Sequence, residues 1–535
     1  MSNSKNMIKK IKLLVLIGTA IFSAGCDKDF VEINTNPYAV NTVDPALLFA
    51  GAQRTHLGTW TAEHTIVQQF VVPYNTGANL GFNFNENIDG VSNPKWDQSY
   101  AGGANGNAAP IRNMNQALGL LDTTTTRNNL KNMLRIWKVQ VYMGMVDAYG
   151  YVPYSESGKA IPDDIFYPTY DVDSEIYDDL YKELKEATAA LNPTGDFVSA
   201  DLFYGSNAHS STRTSSAAAQ VPKWKKLGYS LMLRLGMRYS KVNTSKAQSI
   251  VAEAFTGGVM TSNTDNALVK YDGTLYTQGD NAALRNFSQF NYAAEPFVNR
   301  LKSTKDPRGK FILANFSNPG NVAAQPNPDT VLANQFGVPI GVTDAQITAA
   351  GSPYRGARGG GLNYSQMNVW IVASPAAPDF YVTYAQTSLL LAEAAKRGWI
   401  SGGDAQARIY YENGIAADMV AYSLYPGTTP ISASEIAAYI ADPAVAYNAT
   451  DALLQINTQY WIVNLRNGTE AFANFRRSGY PVLIPNLYNN NLKGGFARRL
   501  SYPDVEASVN TTNYQAASQA MGGDLLTSRV FWDTQ

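Results

Sequence analysis

The 535-residue chain is short of the residues that most enzymes and metal sites are built from. Cys26 is its only cysteine, which excludes an intrachain disulfide framework and a zinc site made of several thiolates. It has only three histidines, and His56 and His64 lie eight apart rather than the four of a His-Glu-x-x-His pair. Charge of either sign is sparse: 42 basic and 43 acidic residues are interspersed, with no basic stripe of the kind that grips nucleic acid. After residue 26, no run approaches the ~20 apolar residues of a membrane-spanning helix. Gly-x-Ser-x-Gly is missing, and so is a Ser-x-x-Lys with its companion motifs. Gly356-Ala357-Arg358-Gly359-Gly360-Gly361 lacks the Gly-Lys-Ser/Thr ending of a phosphate loop and reads as a flexible loop. Asp171, Asp173 and Glu175 lack the glycine and the spaced bidentate Glu of a calcium loop, so they read as an acidic helix start. No local signature nominates a carboxylate pair for glycoside hydrolysis. The expectation is therefore no catalytic residue, no cofactor and no assigned metal, with calcium binding left open.

What is present begins at the N-terminus. Lys5, Lys9, Lys10 and Lys12 precede an apolar run from Leu13 to Phe22, about ten residues long and in the range of a signal-peptide core. Ser23-Ala24-Gly25-Cys26 follows and resembles a bacterial lipobox, in which the cysteine is acylated and becomes the new N-terminus. Ser23 stands where that pattern prefers an aliphatic residue. Two or more acyl chains anchor a protein stably, whereas one holds only marginally. The expected organisation is a signal peptide over 1–25, a lipid anchor at Cys26 with a polar tether over 26–41, and a folded domain over 42–535, long enough for two packed layers of helices or two subdomains.

The remaining chain is rich in aromatics, 11% with 32 Tyr and 8 Trp, against only 16% charged residues. Leu130, Leu134, Trp137, Val141 and Met145 recur at helical spacing, and the helix they mark ends near Ala148. Ile176, Leu180, Leu184, Ala187 and Leu191 mark a second helix, stopped by Asn192-Pro193. Trp224, Leu227, Leu231 and Leu235 mark a third. Residues Phe380 to Arg397 and the stretch from an Asp404 cap to about Met419 read as a helix pair joined by a Gly-rich turn. The small residues Ala392, Ala394 and Ala395 suit the close approach of a tetratricopeptide-type unit. Residues 192–221, 272–286, 318–358 and 422–448 are rich in Gly, Ser, Thr, Asn and Pro, and read as long ligand-facing loops. Trp137, Trp224 and Trp461 lie on expected helices and belong to the core.

Several motifs, in order, resemble the SusD/RagB family of nutrient-binding outer-membrane lipoproteins. They are the Cys26–Pro37 tether, Asp147-Ala148-Tyr149-Gly150-Tyr151-Val152-Pro153-Tyr154, the Lys223-Trp224 to Arg238 helix, and Leu391-Ala392-Glu393-Ala394 with Gly398-Trp399. A C-terminal signature follows in Ile456–Trp461, Phe475–Pro481 and Arg499–Asp504. Two departures stand out: a Ser/Thr/Ala-rich insertion after Tyr204-Gly205 that runs to Gln220, and Met232 where a basic residue is common. Arg476, Arg477 and Arg499 read as buried guanidinium anchors that tie loops together, and Glu393 as an ion-pair partner.

The resemblance implies a mostly α, SusD-like fold of degenerate tetratricopeptide-type helix pairs with long ligand-facing loops. It also implies a non-enzymatic protein, lipid-anchored at the outer membrane and facing the cell exterior. Such a protein delivers oligosaccharide or another polymer fragment to a SusC-like TonB-dependent transporter. A peptide cargo is the alternative within the family, and a lipid-anchored glycoside hydrolase is the rival outside it. Pyranose rings stack on aromatic faces and take hydrogen bonds from amides and guanidiniums. Trp60, Tyr74, Trp96, Tyr292, Tyr354, Arg355 and Trp370 are the candidate ligand contacts, with Asn75, Asn79, Phe82, Tyr276, Asn286 and Phe290 near them in the sequence. For Trp96 the i, i+4 spacing to Tyr100 equally suits a core position.

Overall fold

A computed structural model describes residues 43–54, 62–72, 89–102, 109–122, 126–286, 292–487 and 492–534. The expected signal segment, the tether and Cys26 lie outside these residues. Four consecutive helix pairs form the frame. Asn128–Tyr149 packs on Asp173–Ala190, and Ala217–Arg238 on Thr244–Gly257. Tyr384–Lys396 packs on Gly403–Ala421, and Ala452–Val463 on Gly468–Ser478. The pairs also touch one another, so helices such as Asn128–Tyr149 are buried on nearly every side. The Asp173–Ala190 helix keeps one apolar face, with Ile176, Tyr177, Leu180, Leu184 and Ala187 buried. The fold is thus mostly α, as expected.

Small residues set the tightest contact. A side-chain carbon on Gly414 would sit 2.7 Å from Leu389 Cγ, so only glycine lets the Gly403–Ala421 helix come so close to its partner. Several charged groups inside the bundle are paired. Arg238 binds Asp147 at 3.2 Å and Glu470 at 2.7 Å, and Tyr460 donates to Glu470 at 2.9 Å. Trp532, almost at the end of the chain, donates its indole N–H to Asp147 at 3.0 Å. Arg476 donates to the Asp147 carbonyl oxygen at 2.5 Å, and Arg499 to the Tyr149 carbonyl at 3.1 Å. Arg477 grips Glu393 through two contacts of 2.7 Å. The three arginines are buried anchors, and Trp137, Trp224 and Trp461 are core, all as the sequence indicates.

Other boundaries differ from expectation, each for a local reason. Asp379–Val382 is a strand paired with Ala267–Val269, and the helix begins only at Tyr384, where Thr383 and Gln386 cap each other's backbone. Asp404 is not a cap. Gly402 holds that place, and Asp404 pairs with Lys396 at 2.8 Å and Tyr447 at 2.7 Å. The expected loops hold helices at Ala217–Arg238, Gly279–Asn286, Asp344–Thr348 and Ala433–Ala441. The rest of the 192–216 segment is tied down by Asp201. Its carboxylate accepts from Gln53, Gln220, Trp224 and the backbone of Phe203 and Tyr204, all within 3.1 Å.

Four two-stranded antiparallel pairs are described, and three of them build a lobe from the 292–367 region and the Phe70–Val71 strand. Phe70–Val71 pairs with Tyr292–Ala293, Leu313–Ala314 with Gln366–Met367, and Ala357–Arg358 with Gly361–Leu362. This lobe has its own small core of Val71, Tyr292, Ala294, Val338, Ile347, Leu362 and Tyr364.

Candidate functional site

The lobe and the helix beside it carry most of the describable candidates. The Gly279–Asn286 helix is fixed on the 374–376 segment, where Gln278 N donates to the Pro375 carbonyl at 2.9 Å and Asn281 Nδ2 to the Ser374 carbonyl at 2.8 Å. That anchoring sets Arg285 on Trp370, the guanidinium carbon 3.9 Å from the indole centroid. Trp370 is half-buried, and its indole N–H is turned inward, buried and without a hydrogen bond among the described residues. The same helix touches the turn over Pro319–Ala324, which in turn touches the Gly361–Leu362 strand. A chain of contacts therefore runs from the helix of Arg285 through the Pro319–Ala324 turn to the Ala357–Leu362 hairpin.

Tyr354 and Arg355 enter the hairpin and are both half-buried. Arg355 stacks on Phe336 with its guanidinium carbon 3.5 Å from the ring centroid, and its Nε donates to the Asn363 carbonyl at 3.1 Å. The Gly-rich run expected to be a flexible loop is this hairpin. Arg358 there donates to Asn315 Oδ1 at 2.6 Å, and Gly360 N to Asn318 Oδ1 at 2.8 Å. A Gly-Gly pair between two strand-forming stretches is a hairpin signal. Tyr276, half-buried at the head of the Gly279–Asn286 helix, stacks with His209 at 3.9 Å and lies under Arg54 at 4.7 Å.

Two candidates are enclosed. Tyr292 is fully buried, and its hydroxyl accepts from Leu362 N at 2.8 Å. A side-chain carbon on Gly361 would lie 2.5 Å from that hydroxyl, so glycine is what lets the hairpin close over it. The tyrosine frames the lobe and has no face left for a sugar. Trp96 is only 4% exposed, ringed by Tyr100, Tyr149, Tyr170 and Tyr502 at 4.9–5.9 Å. Trp60 and Tyr74, like Asn75, Asn79, Phe82 and Phe290, lie outside the described residues.

Trp96 does reach the floor of a separate cleft of about 730 Å³, walled by Ile111, Leu120, Ile165, Phe166 and Val509. Its polar groups are largely spent within the protein. Tyr100 donates to the Pro153 carbonyl at 2.7 Å, Asn115 to the Ser157 carbonyl at 2.9 Å, Tyr170 to Glu506 at 2.5 Å and Asn510 to the Pro168 carbonyl at 2.8 Å. The cleft thus offers apolar walls, whereas the lobe offers rings beside uncommitted donors. Sequence reasoning passed over Arg285, Phe336 and Arg358. Arg285 sits on a helix hidden in a loop-like composition, while the Gly-Gly turn was a usable signal for Arg358.

A helix-pair frame thus carries a loop-built lobe of aromatic and guanidinium groups. The family model described as "Starch-binding associating with outer membrane", SusD-like, matches residues 37–503, and the chain belongs to this SusD-like family of glycan-binding, outer-membrane-associated proteins. Solved structures agree in fold. A chitin-binding protein is 28% identical, with a TM-score of 0.72 and coverage of 92% of this chain and 100% of that one. A SusD-like protein titled Bacteroidetes AC2a is 24% identical, with a TM-score of 0.74 and coverage of 92% and 100%. A chitin-binding SusD homologue from Flavobacterium johnsoniae is 21% identical, with a TM-score of 0.68 and coverage of 92% and 99%. No curated protein matches the chain.

Proposed function

We propose that this protein is a non-enzymatic, lipid-anchored lipoprotein on the outer face of the outer membrane, which captures oligosaccharide and passes it to a SusC-like TonB-dependent transporter. The observation that carries the glycan reading is the half-buried indole of Trp370 beside Arg285, joined through the Pro319–Ala324 turn to the Ala357–Leu362 hairpin that Tyr354 and Arg355 enter. An indole gives a sugar ring an apolar platform, and guanidiniums give its hydroxyls charged donors. The name of the 28%-identical relative, a chitin-binding protein, supports the same cargo class. The lipobox-like Ser23–Cys26 supports the anchor, with residues 1–25 removed and residues 26–41 as tether to the 42–535 domain.

Calorimetry with glycan and peptide libraries tests the cargo. Binding of oligosaccharides without turnover is the expected outcome. Binding of peptides alone would replace the cargo by its family alternative. Hydrolysis abolished by one carboxylate substitution would establish the glycosidase rival. The transporter is tested by recovering the acylated protein from solubilised outer membranes, where a barrel-sized companion is expected.

A further inference from the structure

We infer that the glycan captured here carries anionic groups, carboxylate or sulfate, held by the cations gathered around Phe336 and Asn363. The inference rests on the glycan reading above and narrows its substrate class.

Lys302 and Arg355 share one ring, with Lys302 Nζ 4.2 Å and Arg355 Cζ 3.5 Å from the Phe336 centroid. Arg355 and Arg358 share one asparagine. Arg355 Nε donates to the Asn363 carbonyl at 3.1 Å, and Arg358 Nη1 reaches Asn363 Oδ1 at 3.4 Å while donating to Asn315 Oδ1 at 2.6 Å. Lys302 donates to the carbonyls of Ala333 and Gln335 at 3.0 and 2.7 Å. All these partners are neutral. Among the described residues, none of the three cations forms an ion pair.

Several other guanidiniums are paired with carboxylates. Arg238, Arg308, Arg466, Arg477 and Arg499 each contact a carboxylate within 3.2 Å. Carboxylates also occur on the lobe but serve other groups. Asp329 accepts from Val331 N at 2.9 Å and Asn334 Nδ2 at 2.7 Å. Glu295, beside Tyr364, is pushed up by burial and takes a hydrogen bond from Asn299. The cations act on one another, since burial and then the charge of Arg355 lower the pKa of Lys302.

Arg355 and Arg358, joined through Asn363 without a carboxylate between them, repel each other, and an anion arriving from solution relieves that repulsion; Lys302, on the other face of Phe336, adds to the local positive charge. Arg355 Nη1 and Nη2 make no hydrogen bond among the described residues, and neither do Arg358 Nε and Nη2. A guanidinium fork with free nitrogens matches the two oxygens of a carboxylate or sulfate. Phe336 beneath Arg355 and the Asn363 carbonyl hold that fork in place. A neutral sugar would leave the cluster uncompensated.

The test is calorimetry on the full chain with a galacturonate oligomer, a sulfated oligosaccharide, a neutral N-acetylglucosamine oligomer of equal length and an Asp/Glu-rich peptide. The expected result is affinity about tenfold or more higher for an anionic glycan than for the neutral one, falling as salt is added. Arg355→Gln and Arg358→Gln should each remove about tenfold of the anionic affinity and a clearly smaller part of the neutral one, with Arg355→Lys intermediate. Preference for the uronate or for the sulfate tells the two anion sources apart. Equal affinity for neutral and anionic glycans, unaffected by Arg355→Gln in a protein with unchanged melting, would overturn the inference while leaving glycan binding intact. Binding of the acidic peptide alone would overturn both.

Discussion

Glu393 and Arg477 lie fully buried against each other, joined by two contacts of 2.7 Å between the Tyr384–Lys396 and Gly468–Ser478 helices. Asn457 and Asn474 complete the cage around the pair. Burial pushes the Glu393 carboxyl up, but Arg477 and Arg397 outweigh it and hold it down to about 2. Removing one partner leaves the other charge buried and alone. Glu393→Gln is therefore expected to cost about 3–5 kcal/mol at neutral pH.

The same pair sets a pH dependence. The folded carboxyl titrates near 2 and the unfolded one near 4.5, so between these values the unfolded chain binds the extra proton. The stabilisation is fully present above about 4.5 and is lost as pH falls towards 2. Thermal melts at pH 7 and pH 3 should show the gap between wild type and Glu393→Gln shrinking in acid. A constant gap would mean the carboxylate does not act through its charge.

At the helix hairpin, Gly414→Ala places a methyl 2.7 Å from Leu389 Cγ and 3.2 Å from the Ala385 carbonyl oxygen. Overpacking of this kind costs about 1–3 kcal/mol. The melting temperature should fall by several degrees without loss of glycan binding, because the hairpin lies outside the lobe.

In the lobe, Trp370→Ala is expected to weaken oligosaccharide binding by about tenfold or more, as truncation of an aromatic anchor does. Phe166→Ala, in the apolar cleft, should leave that affinity unchanged. Reversal of the two results in calorimetry would move the glycan site to the Trp96 cleft.

Cys26→Ser should give a folded, soluble, mislocalised protein, because the acyl chains act on attachment and not on the core. Metabolic palmitate labelling reads this directly, and equal labelling of wild type and variant would place the acyl group elsewhere.

Legibility in the sequence followed the length of the pattern. The Asn128–Tyr149 and Asp173–Ala190 helices carry four or more apolar repeats and were located to within a few residues. Arg476, Arg477 and Arg499 were readable as anchors because charge in an apolar motif needs a partner. Short elements in loop-like composition were not read. Ser432-x-x-Glu435 forms a capping box that starts the Ala433–Ala441 helix, a signal present in the sequence and passed over. The site was less legible still. Tyr292 and Tyr354 look alike as aromatics near loops, yet one is sealed by the Gly361 backbone and the other is half-exposed. That distinction depends on which chain segment returns to cover which ring, and no local pattern encodes it.

The indole of Trp532 reaches back to Asp147, and Leu500 N donates to the Ala148 carbonyl at 2.7 Å. The ribosome therefore makes the socket several hundred residues before it makes the plug. Contacts so distant in sequence close slowly. A growing chain cannot complete the set of bonds around Asp147 before the segment carrying Leu500 and Trp532 has been made, so this lock is a late event in synthesis.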